Sequence, residues 1–247
     1  MVPGREVDRA PALPTPSTLR LRHACRSTAG RASHPLHVDL SDYRREYSTR
    51  GVDPAEVDSD PIAQFRAWFA DAERAGVVEP NAAVIATADR HGRPSCRHVL
   101  VKEVGARGFV IYTNAHSRKG RQLAENPFAS LCMTWSPISR QVLIEGPVEV
   151  VDAATADAYF ISRPRGSQIG AWASDQSTPL SSREELESRV EAMDRRFSEH
   201  VPRPPHWKGF RVLPERIEFW QGRLDRLHDR VLFRHDGERW VIERLAP

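Results

Sequence analysis

The chain has 247 residues, 40% hydrophobic and 28% charged, a balance that suits a globular protein with a sizeable core. Its formal charge of +3 invites a nucleic-acid reading, but residues 1–34 hold six arginines against two acids, so this leader carries +4 and the remaining body −1. A near-neutral body lacks the broad basic footprint that duplex binding needs, and no run approaches the ~20 apolar residues of a membrane-spanning helix. Pro11, Pro14 and Pro16 interrupt the only stretch a secretory signal would use. Cys25, Cys96 and Cys132 are odd in number and widely spaced, and the ten histidines form no H-E-x-x-H. Neither a disulfide framework nor a metal site is expected, and a reducing cytoplasm fits this cysteine usage.

In chain order, residues 1–34 read as a disordered Arg/Pro-rich leader, although its Arg-rich, acid-poor composition superficially suits a transit peptide. Residues 35–59, with the polar "DYRREYSTRG", read as mobile. A single domain is expected over residues 60–247. It opens with a helix: Asp60 as cap, Pro61 in the first turn, Gly76 as stop, and Ile62, Phe65, Trp68, Phe69 and Ala72 at helical spacing. From residue 82 the texture changes to a β-meander, "AAVIATA", "CRHVLVKEV" and "FVIYT", separated by "DRHG" and "GARG". A short helix from Ser117 ends at "NP", and two longer strands, "FASLCMTW" and "RQVLIEGPVEVV", flank the turn "SPIS". Helices follow near 153–162 and 182–197, then a Pro-rich linker "VPRPPHW", then the strands "RIEFW", "RLHDRVLF" and "RWVIERL" with a hairpin signal at "DG". Strands and helices do not alternate, so the fold class is predominantly antiparallel β with peripheral helices, a barrel or sheet.

No G-x-G-x-x-G or P-loop is present, so a bound phosphate must be held by side chains. Arg97 and Lys102 share one strand, while Arg118 and Lys119 open the short helix behind Ser117. Arg163, Arg165 and Ser167 lie in "SRPRGSQIGAWASDQS", whose texture is that of a ligand-wrapping loop. The competing reading is that these arginines are solvated charges in an Arg-rich composition. In "RLHDR", Arg226, His228 and Arg230 alternate along an expected strand, which would place all three on one face, where an anion would relieve their repulsion. Trp220 can stack on a planar ring or fill the core, and Gln141 and Gln176 can hydrogen-bond a heterocycle.

Read together, these segments resemble the pyridoxamine 5′-phosphate oxidase family. The resemblance runs from "RREY" to the terminal "RLAP" through "RHVLVK", "FVIYTNAHSRKG", "NPFASL", "RQVLIEG", "YFISRPRGSQIGAWASDQS" and "IEFWQGRLDRLHDR". It implies an FMN-binding split β-barrel, a homodimer with FMN at the subunit interface, and oxidation of pyridoxamine or pyridoxine 5′-phosphate by oxygen. By position it implies FMN contacts from Arg97, His98, Val99, Leu100, Val101, Lys102, Tyr112, Thr113, Arg118, Lys119, Gln141, Gln176, Ser177, Trp220 and Arg230. The substrate phosphate would meet Lys102, Tyr159, Arg163 and Ser167; Arg226 and His228 would face its ring as the catalytic pair; Arg44 and Tyr47 would belong to an N-terminal lid. Strict alternation separates Arg97 from Lys102, so a bulge, a strand end or a two-chain site must reconcile them. Lys208 stands where the family usually has glycine, and the leader has no counterpart. Two other classes remain open: another split-barrel flavin enzyme such as an FMN reductase, and a non-enzymatic flavin or pyridoxal-phosphate binder.

Overall fold

The structure, a computed structural model, describes Tyr47 and residues 50–247. The leader 1–34, Cys25 and Arg44 lie outside the described residues. Helix α1 (Pro61–Arg74) starts as expected: the Asp60 carboxylate accepts the Ile62 N–H at 2.9 Å, and Pro61 occupies the first turn, where its missing N–H costs nothing. Its buried face of Ile62, Phe65, Trp68 and Ala72 joins the main core, with Phe65 edge-on to Phe109 and Trp68 edge-on to Phe219.

Strands β1 (Ala82–Ala88), β2 (Pro94–Gly105) and β3 (Gly108–Asn114) form the meander. After α2 (Arg118–Glu125) come β4 (Phe128–Trp135) and β5 (Arg140–Val150), then α3 (Ala153–Ser162), α4 (Arg165–Ala173) and α5 (Arg183–Arg196). Strands β6 (Trp207–Val212), β7 (Arg216–Gln221), β8 (Asp229–His235) and β9 (Trp240–Leu245) complete the sheet. All pairings are antiparallel, in the order β4-β1-β2-β3-β6-β5-β7-β8-β9, and a further β4–β5 pairing closes the first six strands into a barrel. Closure works because β5 is long: residues 140–147 pair with β4, while 148–150 pair with β6. Strands β7 to β9 extend from β5 as an antiparallel flap, with β8 and β9 joined by the predicted turn at Gly237.

Three sequence expectations need correction. The stretch 162–177 is not one ligand-wrapping loop, because α4 occupies its centre with Ile169 and Ala173 buried. The linker "VPRPPHW" ends in a strand residue, since Trp207 begins β6. Arg226, His228 and Arg230 do not share a strand face: β8 begins only at Asp229, and a 3₁₀ turn over Leu224–Arg226 carries two left-handed residues, Asp225 at φ 55° and Arg226 at φ 60°. Among the described residues no helix is long and apolar enough to cross a membrane, and no three acidic, histidine or cysteine side chains cluster as metal ligands.

Candidate active site

The inner row of β1 is buried at Ala83, Ile85 and Thr87, opposite Val99, Arg97 and Ser95 of β2. The apolar interior thus gives way to a polar end at Thr87, Ser95 and Arg97. Helix α2 completes that end. Ser117 caps it by accepting the Gly120 N–H, and Lys119 and Gln122, three residues apart on one face, point inward and are buried. Gln122 Oε1 accepts from Thr87 Oγ1 at 2.6 Å and Ser95 Oγ at 2.7 Å; Arg97 donates to both hydroxyls. Lys119 Nζ donates to Thr113 Oγ1 at 3.0 Å, and that hydroxyl donates to Gln176 Oε1 at 3.0 Å.

Neither Arg97 nor Lys119 meets a carboxylate among the described residues. Lys119 is 7% exposed, and burial, with Arg97 adding its charge, pulls its pKa down to about 8. Arg97 is lowered by burial and by Arg118. Two neighbouring, partly desolvated cations without a counter-ion form a cradle for an anion.

The same wall opens into a second hollow of about 330 Å³, lined by Tyr112, Thr113, Asn114, Arg163, Ser167, Gln176 and Trp207 among others. Arg163 caps the C-terminus of α3, and Ser167 sits in the first turn of α4. The Arg163 guanidinium lies 4.8 Å from the Trp207 ring centroid, and its buried Nη1 has no hydrogen-bond partner among the described residues. Burial lowers its pKa, against which the Tyr159 charge works. Tyr112 stacks on Tyr159 at 4.2 Å and on Trp207 at 5.1 Å, which fixes the aromatic floor. Arg165, by contrast, spends its fork on Asp194 and the Phe197 carbonyl.

A third region lies on the flap. Gln141, Trp220 and Arg230 are cross-strand neighbours on one row, and a hollow of about 530 Å³ is lined by Tyr47, Thr134, Arg140, Gln141 and Trp220. Arg230 is engaged bidentately by Glu218 at 2.8 and 2.9 Å. His228 lies 4.6 Å from Trp220, and its Nδ1 accepts the Arg223 N–H at 3.1 Å, which leaves Nε2 to carry the proton of the neutral ring. Burial and Arg226 lower the His228 pKa, so the neutral form is favoured. Arg226 is exposed and forms no hydrogen bond or ion pair among the described residues. Two consecutive non-glycine residues in the left-handed region carry a strain of about 1 kcal/mol each, a cost found where a turn serves a site.

The structure therefore brings together Arg97, Thr113, Lys119 and Gln176, and beside them Tyr112, Tyr159, Arg163 and Ser167. Gln141, Trp220, His228, Arg230 and Tyr47 gather separately. Lys102 stands apart, in a hollow with Phe65, Glu73, Asn81 and Glu103. Of the three reconciliations open for Lys102, the bulge exists: pairing jumps from Val101–Ile111 to Glu103–Val110, leaving Lys102 as the extra residue. Even so, Arg97 stays on the inner row and Lys102 is exposed elsewhere. His98 and Arg118 are exposed, Val99 and Leu100 half-buried, Val101 buried, and Ser177 follows Gln176 at φ 71°. Sequence reasoning missed Thr87, Ser95 and Gln122; the Lys119–Gln122 spacing was the available signal.

Residues 69–197 match the family model described as pyridoxamine 5′-phosphate oxidase, and 207–247 that of the pyridoxine 5′-phosphate oxidase C-terminal dimerisation region. A pyridoxine/pyridoxamine 5′-phosphate oxidase from Gloeothece citriformis is 52% identical over 214 residues, covering 86% of this chain and all of the relative. That of Rubrobacter xylanophilus is 53% identical over 210 residues, 85% of this chain and 97% of the relative. Among solved structures, PhzG from Burkholderia lata 383, in complex with tetrahydrophenazine-1-carboxylic acid, superposes with a TM-score of 0.77 at 32% identity, over 82% of this chain and all of PhzG. An FMN-binding, pyridoxamine 5′-phosphate oxidase-related protein from Nostoc punctiforme shares the fold at 15% identity, with a TM-score of 0.60 over 74% of this chain and 97% of its own. With both family models matched in order and half-identical relatives spanned almost end to end, the chain belongs to the pyridoxine/pyridoxamine 5′-phosphate oxidase family.

Proposed function

We propose that this protein is an FMN-dependent oxidase of vitamin B6 phosphates. Pyridoxine 5′-phosphate and O₂ give pyridoxal 5′-phosphate and H₂O₂; pyridoxamine 5′-phosphate, O₂ and water give the same products with ammonia. One observation carries the reading: two cationic sites that meet no carboxylate among the described residues, Arg97 with Lys119 and Arg163 beside Ser167, adjoin through the shared Thr113 and Gln176. Two phosphorylated ligands need two such sets, because each phosphate carries nearly two negative charges at neutral pH.

The residues present fit FMN, since a buried lysine whose charge is disfavoured by burial and by Arg97, and an arginine held only by hydroxyls, gain most from a phosphate. FMN, when bound, supplies the two-electron acceptance and the reactivity toward oxygen. The protein's own part is placement and charge. Arg97, Lys119 and Thr113 hold the cofactor phosphate, while Gln141 and Trp220 offer an amide and a ring to its heterocycle. Arg163, Ser167 and Tyr159 hold the substrate phosphate. Arg226 brings a permanent positive charge, and His228 a neutral imidazole whose Nε2–H is oriented by the Arg223 amide.

In one chain, the hollow at Arg163, the row at Trp220 and the hollow at Lys102 share no lining residue. A homodimer with FMN at its interface unites them, a reading supported by the match of β6 to β9 to the family's dimerisation region. The test is to purify the protein, identify any bound flavin by absorbance and mass, and add each B6 phosphate in air. Oxygen uptake with aldehyde formation is expected. Flavin reduction by a nicotinamide nucleotide alone would instead indicate a reductase, and a flavin-loaded protein inert to both substrates a binding protein.

A further inference from the structure

The segment just before α1 is tied to the flap by an ionic clasp whose centre is Asp229. The Asp229 carboxylate accepts the Val52 N–H at 3.2 Å and meets Arg244 Nη1 at 3.1 Å and Arg223 Nη1 at 3.6 Å. Arg244 reaches on with Nη2 to Asp53 at 2.7 Å, so one guanidinium bridges strand β9 and the segment itself. Gly51 lies so close to this group that a Cβ there would fall 2.1 Å from Arg223 Nη1 and 2.4 Å from Asp229 Oδ2. Glycine lets the backbone lie this near the charged pair without displacing either side chain.

Tyr47 stands four positions before Gly51, and its ring sits edge-on to Trp220 at 6.0 Å and to His228 at 5.7 Å. Gly222 gives it room: a Cβ there would lie 2.9 Å from the Tyr47 ring. Four residues reach at most ~14 Å, so fixing Gly51 to Asp53 restricts where that ring can go. The tyrosine itself makes no hydrogen bond to the flap among the described residues, and two edge contacts alone are worth about 1 kcal/mol apiece.

Resting on the oxidase reading above, we infer that Asp229 is a positioning residue: through the Arg50–Asp53 segment it holds the Tyr47 ring over Trp220 and His228, where the substrate ring binds. Asp229 commits its carboxylate to Val52, Arg223 and Arg244, so its effect on the site is indirect. Its carboxylate is 20% exposed, sheltered enough for its three partners to act together and not as isolated surface pairs.

The test combines hydrogen exchange with a double-mutant cycle on the FMN-loaded protein. In Asp229→Ala, and in Asp53→Ala, which removes only the outer link, amides of residues 50–57 exchange faster while those of the barrel strands keep their protection. KM for pyridoxine 5′-phosphate rises about tenfold in Asp229→Ala with kcat within about twofold, the scale of one lost charge-assisted contact set. In a Tyr47→Ala background, Asp229→Ala adds no more than about twofold, because its effect is transmitted through that ring. Multiplying penalties, or unchanged protection of residues 50–57, overturn the inference. Should the intact protein turn over neither B6 phosphate, the oxidase reading falls, and the exchange of residues 50–57 alone still decides whether Asp229 holds the segment.

Discussion

Lys119 is the residue whose removal separates stability from function. Its ammonium is buried against Arg97 with one hydroxyl acceptor, and its pKa stands at about 8 against the ordinary 10.5. That gap is worth about 3 kcal/mol of unfavourable charge burial when the lysine is protonated. The sign follows from proton counting. Below pH 8 both folded and unfolded states hold the proton, and the full penalty is present. Between about 8 and 10.5 the unfolded state binds more protons than the folded one, so this group makes stability rise with pH. Lys119→Met removes the charge and keeps the length of the stem; it forfeits the bond to Thr113, about 1 kcal/mol. The flavin-free variant should therefore be more stable than the parent at pH 7 by about 2 kcal/mol, or about 4–8 °C in Tm. Its rise in stability across pH 8 to 10.5 should be lost, and its affinity for FMN should fall about 10- to 100-fold. Urea unfolding of the flavin-free proteins at pH 7 and pH 9.5, with flavin titrations alongside, measures all three. A Lys119→Met protein less stable than its parent at pH 7, or one retaining the parent's pH slope, would refute the reasoning.

Gln122→Leu leaves the Thr87 and Ser95 hydroxyls without their shared acceptor and should cost about 1–3 kcal/mol in urea unfolding while loosening FMN. Arg226→Ala should retain FMN by absorbance yet depress turnover strongly, because the exposed Arg226 side chain forms no hydrogen bond or ion pair among the described residues and so adds little to the fold; near-normal turnover would remove Arg226 from the catalytic pair. Asp225→Gly relieves one left-handed residue and should change stability by less than about 1 kcal/mol, in the stabilising direction, by thermal melting.

Local chemistry made much of the fold legible. Asp60 and Pro61 announce α1, Ser117 announces α2, and the Asp-Gly step announces the last hairpin, because each acts within a few residues of itself. Helix α4 escaped because two glycines gave its stretch the texture of a loop, while the burial of Ile169 that holds it depends on Phe160, Val201 and Trp207 brought from elsewhere. Barrel closure through β4–β5 and the bulge at Lys102 are register decisions between strands, invisible in either strand alone. The site divided the same way. Residue types found the cations Arg97, Lys119 and Arg163, yet alternation misled at Arg226 and His228, since the left-handed turn at Asp225 ends the strand period before β8 begins. The neutral residues that hold Arg97, namely Thr87, Ser95 and Gln122, carry no charge signature, and only their convergence on one amide oxygen reveals them.

The central claim is that the hollow at Arg163 takes the substrate's phosphate while the cradle at Lys119 takes the cofactor's. Comparing kcat/KM for pyridoxine 5′-phosphate and unphosphorylated pyridoxine, in the parent and in Arg163→Ala, tests it most directly. A preference of about 100-fold or more for the phosphorylated substrate is expected in the parent, falling by at least about tenfold in the variant with FMN content unchanged. Equal preference in the two proteins, or loss of FMN as the main effect of Arg163→Ala, would contradict it.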